Sequence, residues 1–208
     1  MLNKIFRSAT PEQLKILEKI SQIEERKKGD ILFLEGDSPD FVYYLINGVV
    51  KVYKTTANNG KEVTLNYILP KAFIGEFAVF KRIDFPFSAE METEGEILKF
   101  RSDEFVELVR KSSHLSFEII QYMADKIKKN YEYCENLVEK NVRKKIAKFL
   151  KEHEDLFFKL NKNKIASILN VTPETFSRTL KELKKEGLII ERTVVKINKE
   201  KLQDILIE

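Results

Sequence analysis

Up to Phe100 the chain is written in short apolar or alternating runs: DILFLEG, FVYYLINGVVKVYK, EVTLNYILP and EGEILKF. Turn-forming stretches such as KKGD, EGDSPD, NNGK and LPKAF separate them. Nothing else in the chain limits its fold as strongly. Short strands at this spacing, with Gly29, Gly36, Gly48, Gly60 and Gly75 near the bends, close into a sandwich, roll or barrel. Residues 1 to about 100 are therefore expected to be mostly β. One helix start precedes the runs. TPE at Thr10–Glu12 offers an N-cap oxygen, a proline with φ already set, and an acid for the positive end of the helix dipole.

From Ser102 the periodicity changes. SDEFVELVRK opens on a serine cap and places Phe105, Leu108 and Val109 on one helical face. A longer helix is expected from about Ser113 to Leu137. On it Ile120, Met123, Ile127, Asn130, Cys134 and Leu137 recur every three or four residues, a seam of about two and a half heptads. Periodicity alone leaves two readings: an amphipathic helix packed on its own domain, or a two-fold dimer seam in which Asn130 sets the register.

The remainder reads as VRKKIAKFLKEH, NKNKIASILN, PETFSRTLKELKKEG and the strand pair LIIERTVVKI, followed by a last turn KEKLQDIL. Helix, helix, short turn, helix and hairpin is the layout of a winged helix-turn-helix. Phe176, Leu180 and Leu183 share one face of the last long helix, and Ile165, Ala166 and Leu169 supply the partner face. Asn170 stands where the turn requires a left-handed residue. Glu174, Ser177 and Arg178 gather on the opposite side, with Thr175 beside them and Lys181 one turn further. Arg bonds guanine O6 and N7 together and Glu accepts from cytosine N4, which is the chemistry of a recognition helix in a major groove. Lys162, Lys164, Lys181, Lys184 and Lys185 are placed to meet phosphates, which set register but not sequence. Charge agrees: from Val138 onward there are 17 Lys and Arg against 11 Asp and Glu, whereas the residues before it carry 20 against 22. A basic terminal third on a near-neutral body suggests a polyanion partner, and the helix-turn-helix layout makes double-stranded DNA the expected one.

NVTPETFSRTLKELKKEGLI resembles the recognition helix and following turn of the Crp/Fnr transcription regulators. The resemblance runs along the whole chain. KKGDILFLEGDSPDFVYYLINGVVKVYK, NGKEVTLNYILPKAFIGEFAVF and FSAEMETEGEILKF are similar, glycine for glycine, to the family's cyclic-nucleotide-type roll. It implies an α+β chain. Residues 1–112 would form a double-stranded β-helix (a jelly roll or β-roll) as effector domain, 113–137 a dimerisation helix, and 138–208 a winged helix-turn-helix. It also implies a homodimer, a palindromic operator with half-sites about one helical turn apart, and RNA polymerase as a further partner. Within the family, Glu174, Ser177 and Arg178 resemble the fumarate–nitrate regulator branch, which implies a TTGAT-like half-site with Arg178 on the guanine and Ser177 near the thymine. The cAMP receptor branch differs: Pro173 takes the place of its first arginine and Ser177 that of a glycine.

The same resemblance assigns an effector pocket. Gly75 and Glu76 match the residues that give a backbone amide and a ribose acceptor, and Ser88 and Ala89 those that cradle the cyclic phosphate. Phe87 stands where the phosphate-binding arginine belongs. A buried phosphate without its guanidinium is poorly compensated, so cAMP is not the expected effector. Asn130 and Tyr131 take the place of the Thr-Ser pair that meets adenine. Phe85, Pro86 and Phe87 are expected to fill the pocket or to line it for an apolar effector whose identity is unknown.

Other chemistries leave little trace. Residues 1–133 hold no cysteine for an iron–sulfur cluster. Haem would have to use His114, His153, a Met, a Tyr or Cys134, and no motif supports it. Cys134 is read as a small apolar seam residue, with an interchain disulfide switch as the alternative. Rolls of this kind also resemble cupin enzymes, but those need clustered histidines, and residues 1–113 contain none. No catalytic or metal-binding residue is assigned. A roll that serves only as scaffold for a constitutive DNA-binding dimer is the remaining alternative. With no basic-then-apolar leader and no long apolar run, the chain is expected to be cytoplasmic and without a membrane partner.

Overall fold

The computed structural model describes residues 1–208 except 57–59, 139–140, 192–194 and 208; for 129, 132–138, 190–191 and 195–196 it describes the backbone only. The chain divides into two compact units, residues 1–125 and 126–208.

The first unit opens with two helices, α1 (Leu2–Ile5) and α2 (Pro11–Ile20). The start of α2 is a capping box: Thr10 Oγ1 accepts from the Gln13 amide at 3.3 Å, and Gln13 Oε1 accepts from the Thr10 amide at 2.9 Å. Then follow β1 (Ser21–Arg26), β2 (Ile31–Phe33), β3 (Phe41–Asn47), β4 (Val50–Thr55), β5 (Glu62–Ile68), β6 (Ala72–Ile74), α3 (Glu76–Lys81), β7 (Ser88–Met91), β8 (Gly95–Arg101) and α4 (Ser102–Arg110). The helix α5 (Ser113–Val138) begins in this unit and ends in the second.

The strands form two antiparallel four-stranded sheets, ordered β1-β8-β3-β6 and β2-β7-β4-β5. Apart from β4 and β5, which pair with each other in the second sheet, consecutive strands alternate between the sheets, which is the winding of a β-roll. Alternation along the strands turns one face inward, except on β5, whose first five residues are all exposed. Leu45, Val50, Ile74, Ala89, Met91 and Ile97 are wholly buried in the interior. A second core lies where α1, α2, α4 and the start of α5 cover the first sheet. There Phe6 meets Phe100 edge-on at 5.8 Å, and Phe105 is wholly buried beside them. Each such phenylalanine contributes about 1.5–3 kcal/mol by burial.

The first hundred residues thus contain more helix than their strand pattern predicts. The helices α1 and α3 are four and six residues long, too short to establish a helical period.

The second unit contains α6 (Val142–Glu152), α7 (Glu154–Lys159), α8 (Lys162–Ile168), α9 (Pro173–Lys185), the antiparallel pair β9 (Ile189–Glu191) and β10 (Val195–Ile197), and α10 (Lys199–Ile207). Asparagines cap three of its helices: Asn141, Asn161 and Asn198 each accept backbone amides with their side-chain oxygens. The final segment, expected as a turn, is a nine-residue helix with Leu202 and Ile205 buried. Ile146, Ala147, Ala166, Phe176, Leu183 and Leu188 are wholly buried and form the centre of this unit. No helix among the described residues is long and apolar enough to cross a membrane.

Candidate nucleic-acid interface and effector pocket

The helix α9 begins where its sequence places it. Thr172 is the N-cap, its Oγ1 accepting from the Thr175 amide at 3.2 Å, and Pro173 occupies the first turn. Before it, α8 ends in a left-handed Asn170 at φ 51°. The Val171 amide reaches back to the Ala166 carbonyl at 2.9 Å and the Asn170 amide to Ser167 at 3.1 Å, so the turn satisfies the carbonyls that the helix end exposes.

Burial divides α9 into two sides. Phe176 and Leu183 are wholly buried and Leu180 nearly so, while the Phe157 ring lies 6.4 Å from Phe176. Glu174, Ser177, Arg178 and Lys181 are exposed together on the other side. Arg178 and Lys181 make no ion pair among the described residues. Thr175 is half-buried, and Thr172 donates to its hydroxyl at 3.0 Å, so it serves the cap. Of the flanking lysines, Lys162 and Lys185 are exposed, and Lys164 and Lys184 are half-buried.

The far end of α9 is anchored twice. Gly187 turns at φ 79°, letting the Leu188 amide bond the Leu183 carbonyl at 3.0 Å. Arg143 on α6 grips the Glu186 carboxylate with two nitrogens, at 2.7 and 2.6 Å, and Lys201 on α10 donates to the Glu186 carbonyl. These contacts join residues 43 and 15 positions apart, which no local pattern reveals.

In the roll, Gly75 is left-handed at φ 74° and begins α3, which carries the buried Glu76. A Cβ at Gly75 would lie 2.5 Å from the Phe85 ring. That ring is itself stacked on Phe33, with centroids 3.8 Å apart and planes at 15°. Phe87 is half-buried beside them, 6.0 Å from Phe33 and 5.7 Å from Phe77. Ser88 is buried and its Oγ accepts the Glu35 amide at 2.9 Å; Ala89 is buried in the interior. Asn130 and Tyr131 lie on α5 in the second unit, both exposed.

Along α5, Ile120 and Ile127 are 61% and 55% exposed, whereas Met123 packs with Tyr122 against the helical core of its own unit. The side chains of Cys134 and Leu137 lie outside the described residues. His114 is exposed at the start of α5, and His153 packs on the Phe149 ring at 5.3 Å.

Residues 23–112 match the cyclic nucleotide-binding domain family, and residues 144–205 match the Crp-like helix-turn-helix domain family. The transcriptional activator protein FnrL of Cereibacter sphaeroides is 25% identical over 193 residues, 86% of this chain and 76% of that protein. The cyclic AMP receptor protein of Thermus thermophilus is 22% identical over 189 residues, 89% of this chain and 87% of that protein. In fold the chain is similar to FixK2 from Bradyrhizobium japonicum, with a TM-score of 0.70 at 17% identity over 89% of this chain and 97% of that one. With a roll of the first kind followed by a helix-turn-helix of the second, the chain belongs to the Crp/Fnr family of DNA-binding transcription regulators and is not an enzyme.

Proposed function

We propose that the chain acts in the cytoplasm as a homodimer that reads a palindromic, TTGAT-like DNA site in the major groove. The observation that carries this reading is the division of α9, with Glu174, Ser177, Arg178 and Lys181 exposed on one side and Phe176 and Leu183 sealed on the other. Such a helix presents a bidentate donor, an acceptor and a small hydroxyl to base edges while its rear stays rigid. The stripe left exposed on α5 at Ile120 and Ile127 supports pairing through that helix. Arg178 bonds the guanine, Ser177 sits near the thymine, and Thr175 supports them from the cap. RNA polymerase is the partner through which bound dimers act.

The roll does not fit a cyclic nucleotide. The Phe85 ring fills the space beside Gly75, the Ser88 hydroxyl already accepts the Glu35 amide, and the place of the phosphate-binding arginine holds Phe87. An anionic phosphate there would lack the charge-assisted bonds that offset its desolvation. The effector is therefore not cAMP. The same filled interior favours a second reading, in which the roll is scaffold for a dimer that binds DNA constitutively.

Binding-site selection from random DNA tests the main reading. Recovery of a two-fold TTGAT-type palindrome is expected; a non-palindromic or featureless selection overturns it. A mobility shift on that site with and without metabolite extract separates the regulated from the constitutive form.

A further inference from the structure

The first unit holds a cleft outside the roll interior, about 330 Å³ in volume, between the segment around α1, the turn before β6, and α5. Its floor is aromatic. Phe73 is buried, with Tyr44 and Tyr122 edge-on to it at 5.0 and 5.1 Å. Its rim carries Lys4, Arg7 and Lys71, all exposed, and none in an ion pair among the described residues.

Lys71 is the unexpected member. It holds φ 68°, with its amide bonded to the Leu45 carbonyl at 2.8 Å. Glycine takes this left-handed conformation without strain and lysine does not. Backbone strain of this kind concentrates at functional positions. Here it sets a cation on the cleft.

Two acids also line the cleft. Glu118 already accepts the Arg7 and Ser8 amides at 2.7 and 3.1 Å, so its charge is largely met by backbone, and Asp125 lies on the rim. Tyr122 accepts the Phe73 amide at 2.8 Å and, because burial raises its pKa, keeps its proton to donate.

We propose that this cleft binds a compact organic anion with a flat apolar body, its acid group held by Lys4, Arg7 and Lys71 and its body against Tyr44, Phe73 and Tyr122. The volume lies at the small end of ligand pockets and suits one fused ring system with one acid group. Because Glu118, Tyr122 and Asp125 stand on α5, a bound anion ties the N-terminal segment to that helix. Naming this ligand the effector rests on the regulator reading; its binding does not.

The test titrates the full chain with 8-anilinonaphthalene-1-sulfonate and with N-phenyl-1-naphthylamine, which lacks the sulfonate. One saturable site per chain is expected for the anion, with the neutral dye about tenfold weaker or worse. The triple variant Lys4→Gln/Arg7→Gln/Lys71→Gln should lose about tenfold or more in the same measurement. Lys71→Gly removes one cation while relieving the backbone, so it should weaken the anion several-fold without lowering Tm, which guards against a folding defect. Equal affinity for both dyes, or unchanged affinity in the triple variant, overturns the proposal. So does loss of the site on Ile120→Ser, which would place the dye on the exposed stripe. Operator binding is followed in parallel by anisotropy: dye binding kept while operator binding is absent sinks the regulator reading and supports the cleft.

Discussion

Arg143 Nη1 lies 2.7 Å from Glu186 Oε1 and its Nη2 lies 2.6 Å from Oε2, a two-pronged grip that fastens the start of α6 to the residue ending α9. The Glu186 carbonyl also accepts from Lys201, so α6, α9 and α10 meet at one residue. A helix that is to present side chains to base edges has to be held at both ends, and the Asn170–Thr172 turn holds the other.

The grip predicts a pH-dependent contribution to stability. Hydrogen bonds from Arg143 hold the Glu186 carboxyl below its usual pKa. A carboxyl with a depressed folded value stabilises above its unfolded pKa, and the effect fades as pH falls through the folded value. Glu186 is exposed and Arg143 half-buried, so solvent screens the pair and the effect is at most about 1 kcal/mol. Thermal unfolding of Glu186→Gln should show a lower Tm than the parent at pH 7, with the gap closing as pH falls below the ordinary carboxylate range. A gap that persists in acid would mean that packing, not charge, underlies it.

Arg178 and Lys181 share a face but are expected to differ in kind. Arg178→Ala should cost about 1–3 kcal/mol of operator affinity and relax preference at one base pair. Lys181→Ala should weaken all sequences alike and reduce the slope of log K against log salt by about one per site. Equal effects of both variants on every base position would show that neither side chain reads sequence.

How much of this is legible before folding depends on range. The division of α9 into buried and exposed sides follows from a helical period over 13 residues, and the structure has that division. The capped starts at Thr10 and Thr172 are equally local. Arg143 and Glu186 are 43 positions apart, and either would read alone as a solvated charge. Phe33 and Phe85 are stacked because β2 and the segment before β7 are brought together by the winding of the roll, which composition does not encode. On α5 a repeat of three and four residues marks Ile120, Met123 and Ile127 alike, yet Met123 turns to its own core; the period does not say which partner a face meets.

Gly75 should be intolerant of a side chain. Its φ of 74° disfavours any Cβ, and that atom would meet the Phe85 ring at 2.5 Å. Phe85 is 2% exposed and stacked on Phe33, so it has little room to yield. Gly75→Ala should destabilise by about 1–3 kcal/mol, measured by denaturant unfolding. Adding Phe85→Leu should remove the steric part and leave the backbone part, so the double variant should lose less than the two single losses combined. Simple additivity would show that ring and glycine do not press on each other.

Asn170 offers the last test, because its conformation links turn geometry to recognition. At φ 51° it ends α8 while the Val171 amide bonds Ala166. Asparagine occupies this region at lower cost than alanine, and glycine at none. Asn170→Ala should therefore destabilise the second unit by about 1 kcal/mol, and Asn170→Gly should leave it unchanged or slightly more stable. Operator affinity carries the further distinction. If Asn170 acts only through the backbone, the glycine variant keeps wild-type affinity and site preference while the alanine variant loses affinity in step with its stability. Loss of affinity in the glycine variant at undiminished Tm would assign the Asn170 amide group a direct contact with DNA, and the exposed position of this residue makes that outcome measurable.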